Sequence, residues 1–164
     1  MAKTRVTGGC QCGAVRYALH APFSNSSICH CRMCQKAFGA FYAPLAGVPL
    51  DSFEVTRGTL AIFRSSDAVE RGFCRDCGTP LTFRFLAEPK IDVSIGSLDD
   101  PSIARPVIQY GIEARIAWVG DLDELPGEIT EAPGSEARAE FIKRTNRQHP
   151  DHDTDRWPPE GAGR

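Results

Sequence analysis

The chain has 164 residues, a length typical of a single domain with its own hydrophobic core. Hydrophobic residues make up 41% of it and the formal net charge is −2, so its composition gives no global attraction to nucleic acid or anionic lipid. No apolar run is long enough to span a membrane, and residues 1–7 lack the apolar stretch of a secretory signal. We therefore predict a cytoplasmic protein without a membrane or nucleic-acid partner.

The first chemical motif in the chain is Cys10-Gln11-Cys12, which glycines flank on both sides. Such glycines permit the sharp turn through which two neighbouring cysteines reach a single metal ion. Residues 15–19 alternate apolar with polar or small side chains and predict a strand. A loop over 21–27 then leads to the densest group of thiols in the chain.

Three cysteines lie within six residues, at Cys29, Cys31 and Cys34. Side chains alternate along a strand, so Cys29 and Cys31 would share a face, and a helix over 32–38 would bring Cys34 to the same side. Three thiolates from one segment, with no obvious fourth donor nearby, predict a zinc site with an open position. The alternative is a second structural site, completed by a distant ligand such as His20 or an aspartate.

Other side chains near the cysteines receive more ordinary interpretations. His30 would point away from the thiols, and we expect it to be a hydrogen-bonded structural histidine. Trp118 is predicted to anchor the core rather than to line a pocket. Four basic residues lie near the cysteines in sequence and could meet substrate carboxylates, as many surface charges could: Arg32, Lys36, Arg71 and Arg75.

Strand patterns recur through the middle of the chain, at 41–45, 53–56, 60–64, 69–73, 81–85, 91–95 and, more weakly, 107–111. The segments 53–56 and 60–64 flank Arg57-Gly58-Thr59 and predict a hairpin. A second hairpin would join 69–73 to 81–85, with Cys74 and Cys77 at its tip. A CxxC pair followed by glycine is typical of a zinc knuckle.

The composition shifts near residues 126–127, beyond which large apolar side chains become sparse. We therefore divide the chain into a zinc-binding domain over 1–127 and a polar extension over 128–164. The extension permits a helix over 135–147, and its remainder has the composition of a disordered tail.

Two histidines of that tail, His149 and His152, are candidate metal ligands by residue type alone. Their spacing is shorter than that of zinc-finger histidines, and their neighbours are polar. We predict that both are solvated.

The chain has seven cysteines, and this odd number together with the lack of a signal sequence argues against disulfides. Buried free thiols are a further alternative, but the tight CxC and CxxC spacings favour metal ligands. Two cysteine pairs would form one closed tetrahedral site and the triplet one open site, which predicts two zinc ions per chain. The closed site is assigned to Cys10, Cys12, Cys74 and Cys77.

Zinc held by three thiolates is electron-rich, because three negative ligands more than cancel the charge of the metal. Such an ion acidifies water poorly and suits a soft thiol as its fourth ligand, which it would hold as a thiolate. The residues therefore indicate a small-molecule thiol substrate or a thiol adduct rather than hydrolysis. The HxE and PCxxC signature of zinc deaminases is absent from the chain.

These motifs resemble those of the glutathione-dependent formaldehyde-activating enzyme family, which includes centromere protein V-like domains. The resemblance covers about residues 8–126 and includes all seven cysteines in order, the segments 8–17, 73–79 and 96–101, Gly58 and Trp118. It implies a mainly β fold, the β-tent, built from small antiparallel sheets with zinc-tipped hairpins and few short helices.

The same resemblance implies two zinc sites and a reaction. A structural zinc would be held by Cys10, Cys12, Cys74 and Cys77. A catalytic zinc, which engages the glutathione thiol, would be held by Cys29, Cys31 and Cys34. The implied carbon–sulfur lyase reaction joins formaldehyde and glutathione into S-(hydroxymethyl)glutathione, or reverses that step.

Two other functions stay open at this point. One is a lyase that acts on a related thiol adduct. The other is a zinc-stabilised binding module without chemistry.

Overall fold

The computed structural model describes residues 5–131 and 133–158; residues 1–4, and 159–164 at the end of the predicted tail, lie outside that part. Within it, the chain forms ten strands and two α-helices. The strands are β1 (Val6–Gly9), β2 (Arg16–Leu19), β3 (Asn25–Cys29), β4 (Ala43–Pro49), β5 (Phe53–Arg57), β6 (Ala61–Ser66), β7 (Val69–Phe73), β8 (Pro80–Phe85), β9 (Lys90–Ser94) and β10 (Ile108–Tyr110). The α-helices are α1 (Arg32–Phe38) and α2 (Glu136–Thr145).

The strands form two sheets. The smaller has three strands in the order β1-β2-β5, and the larger has seven in the order β10-β3-β4-β9-β8-β7-β6. Neighbouring strands are antiparallel except for β10, which runs parallel to β3. The predicted mainly β fold with few short helices is therefore confirmed. No helix of the described residues is long and apolar enough to cross a membrane.

The larger sheet packs side chains on both of its faces, because side chains alternate along each strand. On β4, Val48 joins the main core, where Tyr17 of the smaller sheet and Val93 of β9 are also fully buried. Leu45 points to the other face and packs against Cys34 of α1. The main core thus joins the two sheets, and a smaller apolar cluster seats the helix that carries part of the cysteine triplet.

The hairpin predicted from residues 53–56 and 60–64 is wrong. Both segments are strands, but β5 pairs with β2 in the smaller sheet and β6 pairs with β7 in the larger one. Between them, Gly58 has a φ of +70° and packs against the carbonyl group of Ala14, where a Cβ atom would clash. This glycine therefore lies in the connection that passes from the smaller sheet to the larger one, not in the turn of a two-stranded hairpin.

Most of the other predicted elements are confirmed. Helix α1 spans the predicted 32–38, and β7 and β8 form the predicted hairpin with a cysteine pair at its tip. Trp118, however, is not a core anchor, since it is 48% exposed and packs edge-on against Phe41 with ring centroids 4.8 Å apart. A side chain on a run of short 3-10 turns has no sheet or helix face to direct it inward.

The part of the chain after α2 packs back onto the domain. We call residues 148–157 the C-terminal segment. Its His149 is only 4% exposed, so the prediction that this histidine is solvated is wrong, whereas His152 is exposed as predicted. Composition alone does not reveal this contact, because the segment is polar and meets the domain mainly through hydrogen bonds.

Candidate metal centre

Four thiols meet where the turn after β1 faces the tip of the β7–β8 hairpin. The sulfur atoms of this four-cysteine cluster all lie within 4.8 Å of one another: Cys10, Cys12, Cys74 and Cys77. The Sγ–Sγ distances are 3.6 Å for Cys10–Cys12 and 3.8 Å for Cys12–Cys74, far longer than a disulfide bond of about 2.05 Å. Sulfurs about 2.3 Å from a tetrahedral zinc ion would lie about 3.8 Å apart, so this donor set fits zinc.

Tight backbone turns present these thiols to one point. The N–H of Cys10 donates to the carbonyl of Val15 at 2.9 Å, and the N–H of Val15 in turn donates to the Cys10 sulfur at 3.2 Å. At the hairpin tip, the N–H of Gly78 donates to the carbonyl of Cys74 at 2.9 Å. Gly78 has a φ of +75°, which explains why glycine follows this CxxC pair.

The thiols of this cluster differ in how readily they ionise. Burial raises the pKa of Cys10 and of Cys12. Burial also opposes ionisation of Cys77, but hydrogen bonds from the hydroxyl and backbone of Thr79 outweigh it and lower the pKa of Cys77 to about 6. Metal ligation by the buried thiols would therefore release protons, which couples metal binding to pH.

The C-terminal segment covers the four-cysteine cluster. The indole N–H of Trp157 donates to the backbone carbonyl of Cys12 at 2.6 Å, and the N–H of His149 donates to the carbonyl of Gln11 at 2.7 Å. The rings of His149 and Trp157 pack edge-on, with centroids 5.0 Å apart. A Cβ atom at Gly13 would collide with both rings, so this glycine permits the close approach.

A buried arginine strengthens the same attachment. The guanidinium of Arg16, with a side chain 4% exposed, lies 2.5 Å from Asp99 and 2.9 Å from Asp153 of the C-terminal segment. Although burial disfavours the carboxylate of Asp99, the hydrogen bonds from Arg16 lower its pKa. Arg57 adds hydrogen bonds to the hydroxyl and the backbone carbonyl of Thr154. The buried guanidinium of Arg16 and the hydrogen bonds of Arg57 thus hold the C-terminal segment in place.

The three remaining thiols form a second group at the end of β3 and the start of α1. The sulfur atoms of this three-cysteine cluster also lie within 4.8 Å of one another: Cys29, Cys31 and Cys34. Among the described residues, no further His, Cys, Asp or Glu joins them at that distance. His20, the candidate fourth ligand, instead pairs with Glu54 at 2.8 Å. The donor set therefore fits a soft metal with an open coordination position.

The three-cysteine cluster also has mixed proton affinities. Burial raises the pKa of Cys29 to about 12 and raises that of Cys34 despite the opposing charge of Arg71. Burial likewise disfavours the Cys31 thiolate, but hydrogen bonding, led by the backbone N–H of Cys34, outweighs it and lowers the pKa of Cys31. Cys31 is the residue just before α1, where helix N–H groups are free to donate.

Two glutamine side chains, the buried Gln35 and the exposed Gln109, hold the loop that carries this cluster. Gln35 is 3% exposed and donates to the carbonyl groups of His30 at 2.6 Å and Ala114 at 3.1 Å. His30 is fully buried, and its Nε2 lies 2.9 Å from Oε1 of Gln109 on β10, in line with the predicted structural role. Sequence reasoning missed both glutamines, because a single amide side chain leaves no periodic signal.

Of the four basic residues named from the sequence, Arg71 is the one that is buried. It is 7% exposed, and its Nη2 donates to the sulfur of Cys34 at 3.5 Å. Arg32 is exposed and bonds the side chain of Gln35, and Lys36 and Arg75 are exposed as well. The cross-strand position of Arg71 on β7 places a positive charge directly beside the three-cysteine cluster.

Comparison with known proteins agrees with these motifs. A family model described as glutathione-dependent formaldehyde-activating enzyme matches residues 5–113. Two curated proteins, each named "Putative glutathione-dependent formaldehyde-activating enzyme", come from Phaeosphaeria nodorum and Podospora anserina. They are 32% identical over 79 and 81 residues, which is 47% and 48% of this chain. The matches span 42% and 38% of the length of those relatives, so less than half of each is covered.

A solved structure supports the fold as well. The crystal structure of a Rhodobacter sphaeroides protein superposes with a TM-score of 0.51 at 26% sequence identity. The match covers 63% of this chain and 98% of that one. The family model itself spans both cysteine clusters and all ten strands, which is well over half of the chain. The chain therefore belongs to the glutathione-dependent formaldehyde-activating enzyme family.

Proposed function

We propose that this chain is a zinc-dependent carbon–sulfur lyase that joins glutathione and formaldehyde into S-(hydroxymethyl)glutathione, or splits that adduct. The observation that carries the proposal is the three-cysteine cluster, in which three sulfurs converge and no fourth protein donor of the described residues joins them. Cys29, Cys31 and Cys34 would hold the catalytic zinc. When bound there, zinc would supply a soft position at which a thiol is held as thiolate.

The reaction balances without any further reactant. The glutathione thiol gives its proton to solvent, and its sulfur forms a bond to the carbonyl carbon of formaldehyde. The π electron pair of the C=O bond moves to the oxygen, which then takes a proton from water. The protein residues would keep the three sulfurs in position during this step, through the hydrogen bonds of Gln35 and His30 behind the cluster.

The four-cysteine cluster would have a structural role in the same proposal. Cys10, Cys12, Cys74 and Cys77 would hold the second zinc ion. Its thiols come from segments 62 positions apart at Cys12 and Cys74, so a bound metal would close a long loop between the smaller and the larger sheet. In a β-rich domain of this size, such a metal can supply much of the folding free energy.

A calorimetric titration of zinc-loaded protein with glutathione tests the proposal. We expect heat of binding in the micromolar to low-millimolar range, and none with S-methylglutathione, which lacks the thiol. Exchange NMR with labelled formaldehyde should then show adduct formation faster than the spontaneous reaction. A wild-type protein that holds two zinc ions but gives neither heat nor acceleration would instead be a zinc-stabilised binding module.

A further inference from the structure

A small notch lies in the larger sheet where one strand position has no side chain. Gly47 of β4 pairs with Asn25 of β3 on one side and with Asp92 of β9 on the other. A Cβ atom on this glycine would lie 2.9 Å from Oδ1 of Asp92, 3.2 Å from Oγ of Ser24 and 3.7 Å from the backbone oxygen of Asn25. Three oxygen atoms therefore border the space beside the glycine, which we call the Gly47 notch.

Asp92 brings to this notch a buried carboxylate without a partner. The residue is only 8% exposed, and no side chain or backbone group of the described residues hydrogen-bonds or ion-pairs with its carboxylate. Lys90, two positions earlier on β9, instead pairs with Glu88 at 3.2 Å. Burial raises the pKa of Asp92 despite the opposing charge of Lys90. A buried carboxylate in this state is costly, which indicates that a ligand supplies its donors.

The oxygens and the charge of the notch favour a cationic donor. The Ser24 hydroxyl donates to the carbonyl of Gly47 at 3.1 Å, so its lone pairs are left to accept from a ligand. Asp92 and Glu88 together carry one more negative charge than Lys90 neutralises. A primary ammonium group has three N–H donors and one positive charge, so it matches both the three oxygens and the excess charge.

The notch lies on the sheet face that carries the three-cysteine cluster. Cys29 pairs with Ala43 of β4, and Cys34 packs against Leu45. Side chains alternate along a strand, so Gly47 shares the face of these two residues and lies two to four positions further on, about 7 to 13 Å away. Eight bonds separate the sulfur of glutathione from its α-ammonium nitrogen, which spans about 9 Å when extended. A zinc–sulfur bond adds about 2.3 Å, so a thiol held at the cluster can reach the notch with its ammonium group.

We propose that the Gly47 notch binds the α-ammonium group of the thiol substrate and that the Asp92 carboxylate accepts its hydrogen bonds. The inference rests on the proposed thiol chemistry and narrows the substrate class to thiols with a free amino group about eight bonds from the sulfur. Lys90 supplies a cation for the carboxylate that accompanies the ammonium of an amino acid. No bond forms or breaks at the notch, so Asp92 binds and positions the substrate.

Calorimetry with two thiols tests the notch in zinc-loaded protein. N-acetylglutathione keeps the thiol but replaces the ammonium group with a neutral amide. Wild type should bind it about tenfold or more weakly than glutathione, as expected for loss of a charge-assisted hydrogen bond. Equal affinity for the two thiols would overturn the inference.

Asp92→Asn tests the carboxylate itself. This variant should weaken glutathione about tenfold and leave N-acetylglutathione unchanged, because only glutathione presents the charged group. The matched control Asp67→Asn, at the exposed turn between β6 and β7, should change neither affinity. An Asp92→Asn protein that binds both thiols equally less well would show a structural role for Asp92 and overturn its role as a ligand.

Thermal melts give a second readout of the same substitution. Asp92→Asn should melt no lower than wild type, because it removes a buried charge that has no partner. A lower melting temperature would show that the folded protein already stabilises this carboxylate, which contradicts the inference. Gly47→Ala fills the notch with one methyl group and should also weaken glutathione more than N-acetylglutathione.

S-methylglutathione separates this inference from the proposed function, because it has the ammonium group but no thiol. The notch alone should hold it too weakly for calorimetry. At high millimolar concentration it should still shift the amide NMR signals of Gly47 and Asp92 in wild type. Such shifts in a protein that gives no heat with glutathione would support the notch and contradict the thiol chemistry. Heat with glutathione, without shifts from S-methylglutathione, would overturn the notch alone.

Discussion

The two cysteine clusters use the same donor atom in opposite surroundings. The four-cysteine cluster joins two distant turns and lies under the C-terminal segment, whose Trp157 and His149 contact its backbone. The three-cysteine cluster comes from one local segment, and the buried guanidinium of Arg71 donates to its Cys34 sulfur. In the proposed function, the number of converging thiols and the segments that supply them, rather than the ligand type, would distinguish the structural site from the reactive one.

The largest effect should come from removing one thiol of each cluster. Cys77→Ser opens the four-cysteine cluster and should cost more than about 5 kcal/mol, since structural zinc binding contributes roughly 10–16 kcal/mol in apparent terms. The protein should then be unfolded or insoluble. Cys34→Ser should leave it folded with one zinc ion fewer. Thermal melts with elemental analysis measure both, and equal destabilisation of the two variants would contradict the division of roles.

Displacing the triplet without removing a thiol should have a smaller effect. Gly111 has a φ of +64°, and a Cβ atom there would lie 2.7 Å from the backbone nitrogen of Cys31. Gly111→Ala should cost about 3 kcal/mol and weaken metal binding at the three-cysteine cluster. Gly39→Ala is the matched control, because it has a φ of +58° but open space around it.

The Gly39→Ala control should lower the free energy of unfolding by about 1 kcal/mol, because of backbone strain, and should still bind metal at the three-cysteine cluster. Denaturant unfolding and chelator competition provide the two measurements. If both glycine variants hold the second zinc equally well, then the loop contact at Gly111 does not position Cys31.

The contacts of the C-terminal segment should contribute least to the free energy of unfolding. Trp157→Ala removes a hydrogen bond to Cys12 and the ring contact with His149, and should cost about 2 kcal/mol. It should also speed zinc release from the four-cysteine cluster to a chelator. The control is Trp118→Ala, which removes an exposed tryptophan that packs against Phe41. It should lower the free energy of unfolding by less than about 1 kcal/mol and leave the rate of zinc release unchanged. Identical release rates in both variants would show that the C-terminal segment does not protect this cluster.

Features encoded in a short stretch were predictable from sequence. The spacing of Cys29, Cys31 and Cys34 with the following helix, and the β7–β8 hairpin around Cys74, depend on local periodicity and turn chemistry. The hairpin prediction over 53–64 was wrong because an alternating pattern identifies strands but not the strands they pair with. Gly58 is required by its close approach to the distant backbone of Ala14, not by a tight turn.

The rest of the site depends on long-range contacts that leave no local pattern. Arg71 reaches Cys34 only because β7 lies opposite α1 in the fold, and sequence offered it as one of four similar charges. Asp153 and Trp157 look like ordinary tail residues until Arg16 and Cys12 are placed beside them. Long-range ion pairs and single hydrogen bonds follow from topology, which spacing does not determine.

The most direct test of the account is the response of cobalt-substituted protein to glutathione. Sulfur-to-cobalt charge-transfer bands grow with each thiolate bound, so glutathione should intensify them in wild type, whereas S-methylglutathione should not. Cys34→Ser should lose the response while the four-cysteine cluster keeps its own spectrum. A spectrum that glutathione leaves unchanged, in protein shown to hold two cobalt ions, would contradict the assignment of the three-cysteine cluster as the open, thiol-binding site.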